Sequence, residues 1–241
     1  GFLALCTSNL PEPTISPNAT NQSSDFFNTV LYTGNGSTTQ NINIGFNPDL
    51  VWIKSRSNAS NHHSLVDSSR GDVALNSNQT AVEYSVAAFN FKTDNTIDVP
   101  YYSGDYSMNT NTSTYVAWNW KANGGTTTTN DASATSVGTI DSTYQANTDA
   151  GFSIVTYTGT GSAGTLAHGL GAVPKFIIIK NRESTQNWVV YHASNTSAPA
   201  TDNLYLNLTS ATDDEVGMFN DTAPTSTVFS IGTNANVNNN T

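Results

Sequence analysis

The sequence predicts an all-β protein made of two tandem, homologous antiparallel β-sandwich domains with an extended N-terminal arm. The main observation is an internal duplication, because residues 27–56 recur with the same order of parts as residues 152–182. Short runs of β-branched and aromatic residues also alternate with turn residues along the chain. Apolar residues are nowhere sustained at a spacing of three to four over three helical turns, so long helices are not expected.

Each copy of the duplicated segment opens with a predicted strand and a tight turn. Residues 27–33 and 152–158 are rich in β-branched and aromatic side chains, and both runs are followed by a Gly-x-Gly-Ser turn. This pattern is typical of a strand that enters a hairpin.

A proline marks the entrance of a second strand in each copy. Pro48 and Pro174 cannot donate to a β-ladder, which favours a position at the start of a strand. The continuously apolar runs 50–53 and 176–179 follow them, and these runs are predicted to be buried strands.

The duplication also sets the expected domain boundaries. Residues 1–24 are predicted to be an extended arm, 25–124 the first sandwich, 125–148 a polar, Thr-rich linker and 149–241 the second sandwich. Each domain is large enough to bury a core. Further short strands are predicted at residues 62–67, 73–75, 86–92, 115–121, 188–191, 204–206 and 228–231.

The last predicted strand of the first copy has no counterpart in the second. Within residues 115–121, the period of two places Val116, Trp118 and Trp120 on one face, which we expect to face the core. Nothing after residue 231 matches this strand. We therefore expect the second domain to be incomplete at its C-terminal end.

Two explanations for the missing strand stay open. Either the protein continues beyond Thr241, or a segment of a neighbouring chain fills the place by strand addition. The apolar segment 2–6 suits the second explanation, because Phe2, Leu3 and Leu5 present apolar side chains on both faces of a short strand. We expect these residues to make contacts between chains.

Composition excludes several classes of function. The net charge is −10 with only eight Lys and Arg residues, so the chain lacks the basic face that nucleic-acid binding needs. No apolar stretch is long enough for a membrane-spanning helix. The single Cys6 cannot form an internal disulfide and is expected to be a small buried hydrophobe. A surface rich in Asn, Thr and Ser favours a chain that packs in a homo-oligomer, with a trimer as one option.

No residue pattern predicts catalysis or a metal site. His62, His63, Ser64 and Asp67 could supply a nucleophile and a base, but no nucleophile elbow accompanies them, so a hydrogen-bonded strand end is expected instead. Residues 213–215 are acidic but lack the alternating spacing of a calcium loop. We expect no catalytic residue, no metal and no cofactor.

Three other short signals have simpler explanations. His168 and His192 have no second histidine or cysteine at zinc-ligand spacing. The tripeptide 70–72 spells Arg-Gly-Asp, which occurs by chance in a chain of this length. Asn-x-Ser/Thr triplets are expected wherever these residues are so frequent.

One loop has the composition of a binding surface. Tyr101, Tyr102 and Tyr106 lie close together with Gly104 and Asp105 between them. Tyrosine rings combine a flat apolar face with a hydrogen-bonding group, which suits a sugar or a flat protein epitope. The three rings could instead contact another subunit or pack within their own domain.

The motifs together resemble a known family. The stretches LYTGNGS, PDLVWIKSRS, HHSLVDS, YVAWNWKANGG, DAGFSIVTYTGTGS and HGLGAVPKFIIIKNR are similar to Asn/Thr-rich repeats in virion structural proteins, of tail or fibre type, of marine tailed bacteriophages. The resemblance covers nearly the whole chain. It implies partners among other virion proteins and copies of the same chain, and no known catalytic residues accompany it.

The resemblance therefore implies a non-enzymatic virion structural protein, made in the host cytoplasm and located on the virion surface. The first hypothesis is a part of a tail fibre or other host-contacting appendage, which would meet a glycan or protein of the host surface. The alternative is a decoration or cement protein of the capsid surface or tail. A capsule-degrading hydrolase is a third, weaker hypothesis, because its two carboxylates should converge in a groove whereas the acidic residues here are scattered among turns.

Overall fold

A computed structural model describes residues 22–240. The predicted arm, with Phe2, Leu3 and Leu5, lies almost entirely outside the described residues. A short 3₁₀ turn at Ser23–Asp25 precedes the first strand. The first domain contains strands β1 Phe27–Thr33, β2 Thr39–Asn43, β3 Leu50–Ser55, β4 Ser64–Asp67, β5 Val73–Asn76, β6 Tyr84–Ser85, β7 Asn90–Phe91, β8 Thr96–Pro100 and β9 Thr114–Trp120.

The second domain begins with two additional strands and then repeats part of this order, without a counterpart of β9 among residues 22–240. Its elements are β10 Thr128–Asn130, α1 Ala132–Thr135, β11 Ser142–Asn147, β12 Phe152–Tyr157, β13 Gly164–Ala167, β14 Phe176–Ile179, β15 Val189–His192, β16 Asp202–Tyr205, β17 Asp213–Asp214, α2 Val216–Phe219, β18 Val228–Ile231 and α3 Ala235–Asn238. The described helices are one turn long, and none of them could cross a membrane.

The first domain is a two-layered antiparallel sandwich. A six-stranded sheet in the order β1-β9-β3-β4-β5-β6 packs on a three-stranded sheet in the order β2-β8-β7. Val51 and Tyr115 from the larger sheet meet Ile97 and Val99 from the smaller one, and all four are almost fully buried. The alternation of buried and exposed residues along each strand produces this core.

The second domain is also a sandwich, with a divided main layer. The sheets have the orders β14-β15-β16-β17, β13-β18 and β10-β11-β12. Leu166 and Ile231 from β13 and β18 pack against Ile179 and Tyr191 from β14 and β15. The fold class predicted from the sequence is confirmed as an all-β sandwich architecture.

The same hydrogen bonds hold the Gly-x-Gly-Ser turn in both domains. Asn109 accepts the Asn35 N–H at 2.9 Å on its side-chain oxygen, and its side-chain amide donates to the Ser37 carbonyl at 2.9 Å. Asn238 does the same with Thr160 N–H and Ser162 O, each at 2.7 Å. We call each arrangement an asparagine clamp.

A tyrosine supports each clamp from the preceding strand. The Tyr32 hydroxyl donates to Met108 O at 2.7 Å, and the Tyr157 hydroxyl donates to Val237 O at 2.6 Å. Gly34 lies so close to Thr110 O that a Cβ there would overlap it, which explains the glycine of the turn.

The prediction that the Gly-x-Gly-Ser turn closes a β-hairpin was wrong. β1 and β2 belong to different sheets and do not pair, and the same is true of β12 and β13. The turn therefore carries the chain from one layer of the sandwich to the other. It is shaped by the buried asparagine behind it rather than by a ladder between its two flanking strands.

Two other strand predictions were wrong in detail. Within residues 86–92 only Asn90–Phe91 is a strand, whereas the longer β8, Thr96–Pro100, was not predicted. In β9, Tyr115 and Ala117 face the core and are fully buried, so the opposite face carries Trp118. The predicted orientation was reversed because the tryptophan face of β9 is also partly covered: Trp118 meets Trp52 of the same sheet, and Trp120 stacks on Phe152 of the second domain.

A third apolar cluster joins the two domains. Leu65 and Leu75, on the outer face of the first main sheet, pack against Trp188 of the second domain. The Trp188 indole N–H is shared between the carbonyls of Asn76 and Gln79, both at 3.0 Å. These contacts bury a large aromatic side chain whose polar atom is satisfied.

The stretch predicted to be a polar linker is ordered. β10 and β11 add to β12 as two antiparallel strands. The Gln145 side chain in β11 is fully buried. It accepts from Asn123 N–H and Gly125 N–H at 3.0 and 2.7 Å, and donates to Ser68 and Ser69 at 3.0 and 2.9 Å. This side chain ties the connecting segment to the first domain.

Candidate functional site

The tyrosine-rich loop follows β8 at one end of the first sandwich. Its first residue, Tyr101, donates its backbone N–H to Thr38 O at 3.1 Å. At its other end, Asp105 O accepts the His62 N–H at 2.7 Å, and the next residues, 107–109, are buried. The loop is therefore held at both ends by backbone hydrogen bonds.

The structure separates the three predicted tyrosines. Tyr102 is partly buried and packs against the core of the first sandwich. Tyr101 is 43% exposed and Tyr106 is 42% exposed. These two side chains remain available for a ligand or for another subunit.

Tyr106 belongs to an aromatic cluster that the sequence did not reveal. Its ring lies 5.0 Å from the His62 ring and 4.9 Å from the Tyr84 ring, both in edge-to-face geometry. Such contacts stabilise a ring in one orientation beyond the effect of buried area. His62 and Tyr84 are distant from Tyr106 in the sequence. The only sequence signal for this contact is that all three side chains are aromatic.

Polar groups beneath the cluster hold Tyr84 in place. Its hydroxyl lies 3.0 Å from Ser64 Oγ and donates to Asn76 Oδ1 at 3.1 Å. Burial raises the pKa of Tyr84 to about 12. The buried Nδ1 atom of His62 has no hydrogen-bond partner among the described residues.

The residues considered for catalysis form hydrogen bonds with different partners rather than with one another. Ser64 pairs with Tyr84, whereas the Asp67 carboxylate accepts from Arg70 Nε at 2.5 Å and caps the turn through Arg70 N–H at 3.1 Å. Burial, and then the nearby charges of Lys54 and His62, lower the pKa of His63. The geometry does not assemble these groups into a nucleophile and its base.

The Arg-Gly-Asp tripeptide is not displayed as a receptor loop. The Arg70 side chain is only 5% exposed and forms ion pairs with Asp67 and Glu83. Glu83 also accepts from Arg182 Nε at 2.8 Å and from its Nη2 at 2.9 Å. Arg70 therefore belongs to the contact between the two domains.

The remaining polar candidates have local structural partners. The ring nitrogens of His168 meet Leu170 N–H and Thr225 O, and burial lowers the pKa of its imidazole. His192 accepts from Ser194 N–H at 3.1 Å. No group of three His, Cys, Asp or Glu side chains in residues 22–240 is placed to hold a metal ion.

One cavity of about 560 Å³ lies beside the junction between the domains. Asp25, Lys121 and Asp149 contribute charged groups to its lining, and Asn47 and Asn123 contribute amides. It is open to solvent and predominantly polar. The cavity does not include any of the tyrosines of the loop.

The comparisons with known proteins give a family. No curated protein and no solved structure matches the chain significantly. One family model matches residues 22–241 and so spans both sandwiches, together with the segment between them. The two domains and their shared contact are thus contained in one family unit, and the chain belongs to the family described as a domain of unknown function, DUF7483.

Proposed function

We propose that this chain is a non-enzymatic structural protein of a tailed-phage virion, located in a tail fibre or another appendage that contacts the host. The observation that carries the proposal is the pair of exposed rings, Tyr101 and Tyr106, on a loop held at both ends. The resemblance of the repeat motifs to virion proteins supplies the biological setting.

The geometry of the loop suits recognition of a carbohydrate or a flat epitope. Tyr106 is braced by His62 and Tyr84, so little side-chain entropy is lost when a ligand stacks on its exposed face. Tyr101 offers a second ring with similar exposure. Rigid aromatic side chains of this kind provide contact area at low conformational cost.

Binding of the purified chain to host cells and to a glycan array tests this function. We expect Tyr106→Ala to reduce binding about tenfold or more, because stacking of an aromatic ring is lost. Tyr106→Phe keeps the ring and should bind nearly as well. The control is Val216→Ala, a similarly exposed position in the second domain. Absence of binding to host surfaces by the wild-type chain would contradict the host-contact function.

A second candidate, a decoration or cement protein, is supported by a different surface. Among residues 22–240, β1 pairs only with β9, and its outer face carries Phe27, 39% exposed, and Leu31, 61% exposed. Apolar side chains on an edge strand favour contacts between chains. The position of the chain in an intact particle distinguishes the candidates, since copies tiled on the capsid would support decoration and copies along one appendage axis would support a fibre.

A further inference from the structure

The main layer of the second sandwich contains a gap that is filled in the first. In the first sandwich, β9 lies between β1 and β3 and pairs with both along their lengths. Their counterparts, β12 and β14, belong to different sheets, and no strand in residues 22–240 lies between them. Up to the asparagine clamp at Asn238 the two domains otherwise follow one plan.

One wall of the gap is the free edge of β14. The Ala193 N–H donates to Lys175 O, so the odd-numbered residues of this strand bond to β15. In an antiparallel sheet alternate residues bond to opposite neighbours. The backbone groups of Phe176, Ile178 and Lys180 therefore point into the gap, and they make no hydrogen bond with the described residues.

β11 does not take the place of β9. It pairs with β12 on one side and with β10 on the other, so both of its edges are used. The chain entering it bridges from Ile140 to Leu166 of β13, whose opposite edge pairs with β18. β11 thus extends the layer at the outer edge of the sandwich and leaves the edge of β14 free.

A cavity marks the entrance of the gap. In the first domain, Thr114 pairs with Thr33 and accepts the Arg56 N–H at 2.7 Å. The counterparts of those two residues, Thr158 and Arg182, instead line an open cavity of about 280 Å³. The missing strand would begin in this space.

Side-chain exposure agrees with an uncovered strand. Phe176 is 54% exposed, whereas its counterpart Leu50 is half-buried. Ile177 is half-buried, whereas its counterpart Val51 is fully buried. Apolar walls and unpaired backbone groups together form a template for an added strand.

We propose that the gap between β12 and β14 is an acceptor site for an extended peptide strand supplied from outside residues 22–240. The occupant has the chemistry of β9, running antiparallel to both neighbours, with tyrosine and small residues toward the core and apolar residues on the other face. This inference does not depend on the proposed virion function.

A synthetic peptide with the sequence of residues 114–121, TYVAWNWK, tests the site on the full chain. We expect saturable binding and slower amide exchange at Phe176, Ile178 and Lys180. A peptide with aspartate in place of Tyr115 and Ala117 should lose affinity about tenfold or more, because two charges would enter the core.

Two variants of the chain separate strand addition from adhesion to the apolar surface. Phe176→Pro removes an N–H that points into the gap, at the exposed first residue of β14 where proline is tolerated, and it should abolish peptide binding. Phe176→Thr removes an exposed ring, keeps the backbone and should retain binding within about threefold.

Three outcomes would overturn the inference. One is no binding of the peptide, with unchanged exchange along β14. Another is protection of the three amides in the full chain before any peptide is added. The third is tighter binding of a peptide with the sequence of residues 1–8, GFLALCTS, than of TYVAWNWK, because the occupant would then lack the tyrosine and the pattern of β9.

Discussion

The two sandwiches share a plan but differ in how their main layer is closed. In the first, Tyr115 of β9 stacks on Tyr32 with ring centroids 5.0 Å apart, and its hydroxyl accepts the Thr110 N–H at 3.0 Å. In the second, Tyr157 occupies the position of Tyr32 but has no such ring beside it among the described residues. The comparison shows that the asparagine clamp can be formed without the strand that follows it.

Among the substitutions that test this difference between the domains, Tyr115→Ala should cause the largest loss of stability. The change removes a fully buried ring and a hydrogen-bond acceptor, and we expect a loss of about 3–5 kcal/mol in the free energy of unfolding of the first domain. Denaturant unfolding monitored by hydrogen exchange would assign the loss to a domain. A loss shared equally by the second domain would show that the two do not unfold separately.

The two clamps offer a matched pair of substitutions. Asn109→Ala and Asn238→Ala each remove a buried amide that bonds several backbone groups of the Gly-x-Gly-Ser turn. We expect each to destabilise its own domain by about 2–3 kcal/mol, since buried partners are left unsatisfied. Asn111→Ala, at an exposed position after the first clamp, is the control. A much smaller loss for Asn238 would mean that its clamp depends on the missing strand.

The Glu83 carboxylate should make a smaller, pH-dependent contribution to the stability of the contact between the domains. Partial burial opposes its ionisation, but the hydrogen bond and charge of Arg182, with Arg70, outweigh this and lower the pKa of the carboxyl. Because the pKa is depressed in the folded state, the stabilisation is present above the ordinary value of 4.5 and is lost as the pH falls through the folded-state value.

Glu83→Gln should therefore weaken the contact between the domains by about 1–2 kcal/mol at neutral pH. Unfolding curves of the variant and of the wild type should converge in acid. Glu183→Gln, at an exposed position next to Arg182, is the control. A difference that persists undiminished at low pH would show that the carboxylate charge is not the cause.

Much of the fold could be predicted from the sequence because the same residue types recur at nearly the same spacing in the two copies of the duplicated segment. Tyr32 and Tyr157 occupy the same place in the two copies of the duplicated segment, and both support an asparagine clamp. The orientation of β9 could not be inferred, because the faces carrying Tyr115 and Trp118 are both apolar and both are covered. The structured conformation of residues 125–148 could not be inferred either. It depends on Gln145, whose side chain donates hydrogen bonds to Ser68 and Ser69, more than 70 residues earlier in the chain.

The tyrosine loop was predicted from composition, but only the structure separates its members. Tyr102 and Tyr106 are equally aromatic in the sequence, and their difference comes from the rings of His62 and Tyr84 that hold Tyr106 at the surface. Contacts between residues so far apart in the chain carry no local signal.

The smallest expected effect tests the free edge of β14 directly. Leu50 and Phe176 are equivalent, but Leu50 pairs with Trp120 of β9 and packs in the cluster between the domains, whereas Phe176 is more than half exposed. Leu50→Thr should cost about 1–2 kcal/mol of unfolding free energy, because apolar area leaves a covered site. Phe176→Thr should change it by less than about 0.5 kcal/mol, since threonine suits an exposed strand position. Denaturant unfolding measures both losses. Equal losses for the two substitutions would mean that the edge of β14 is covered in solution. The two domains would then differ in sequence at this position but not in whether the strand edge is covered.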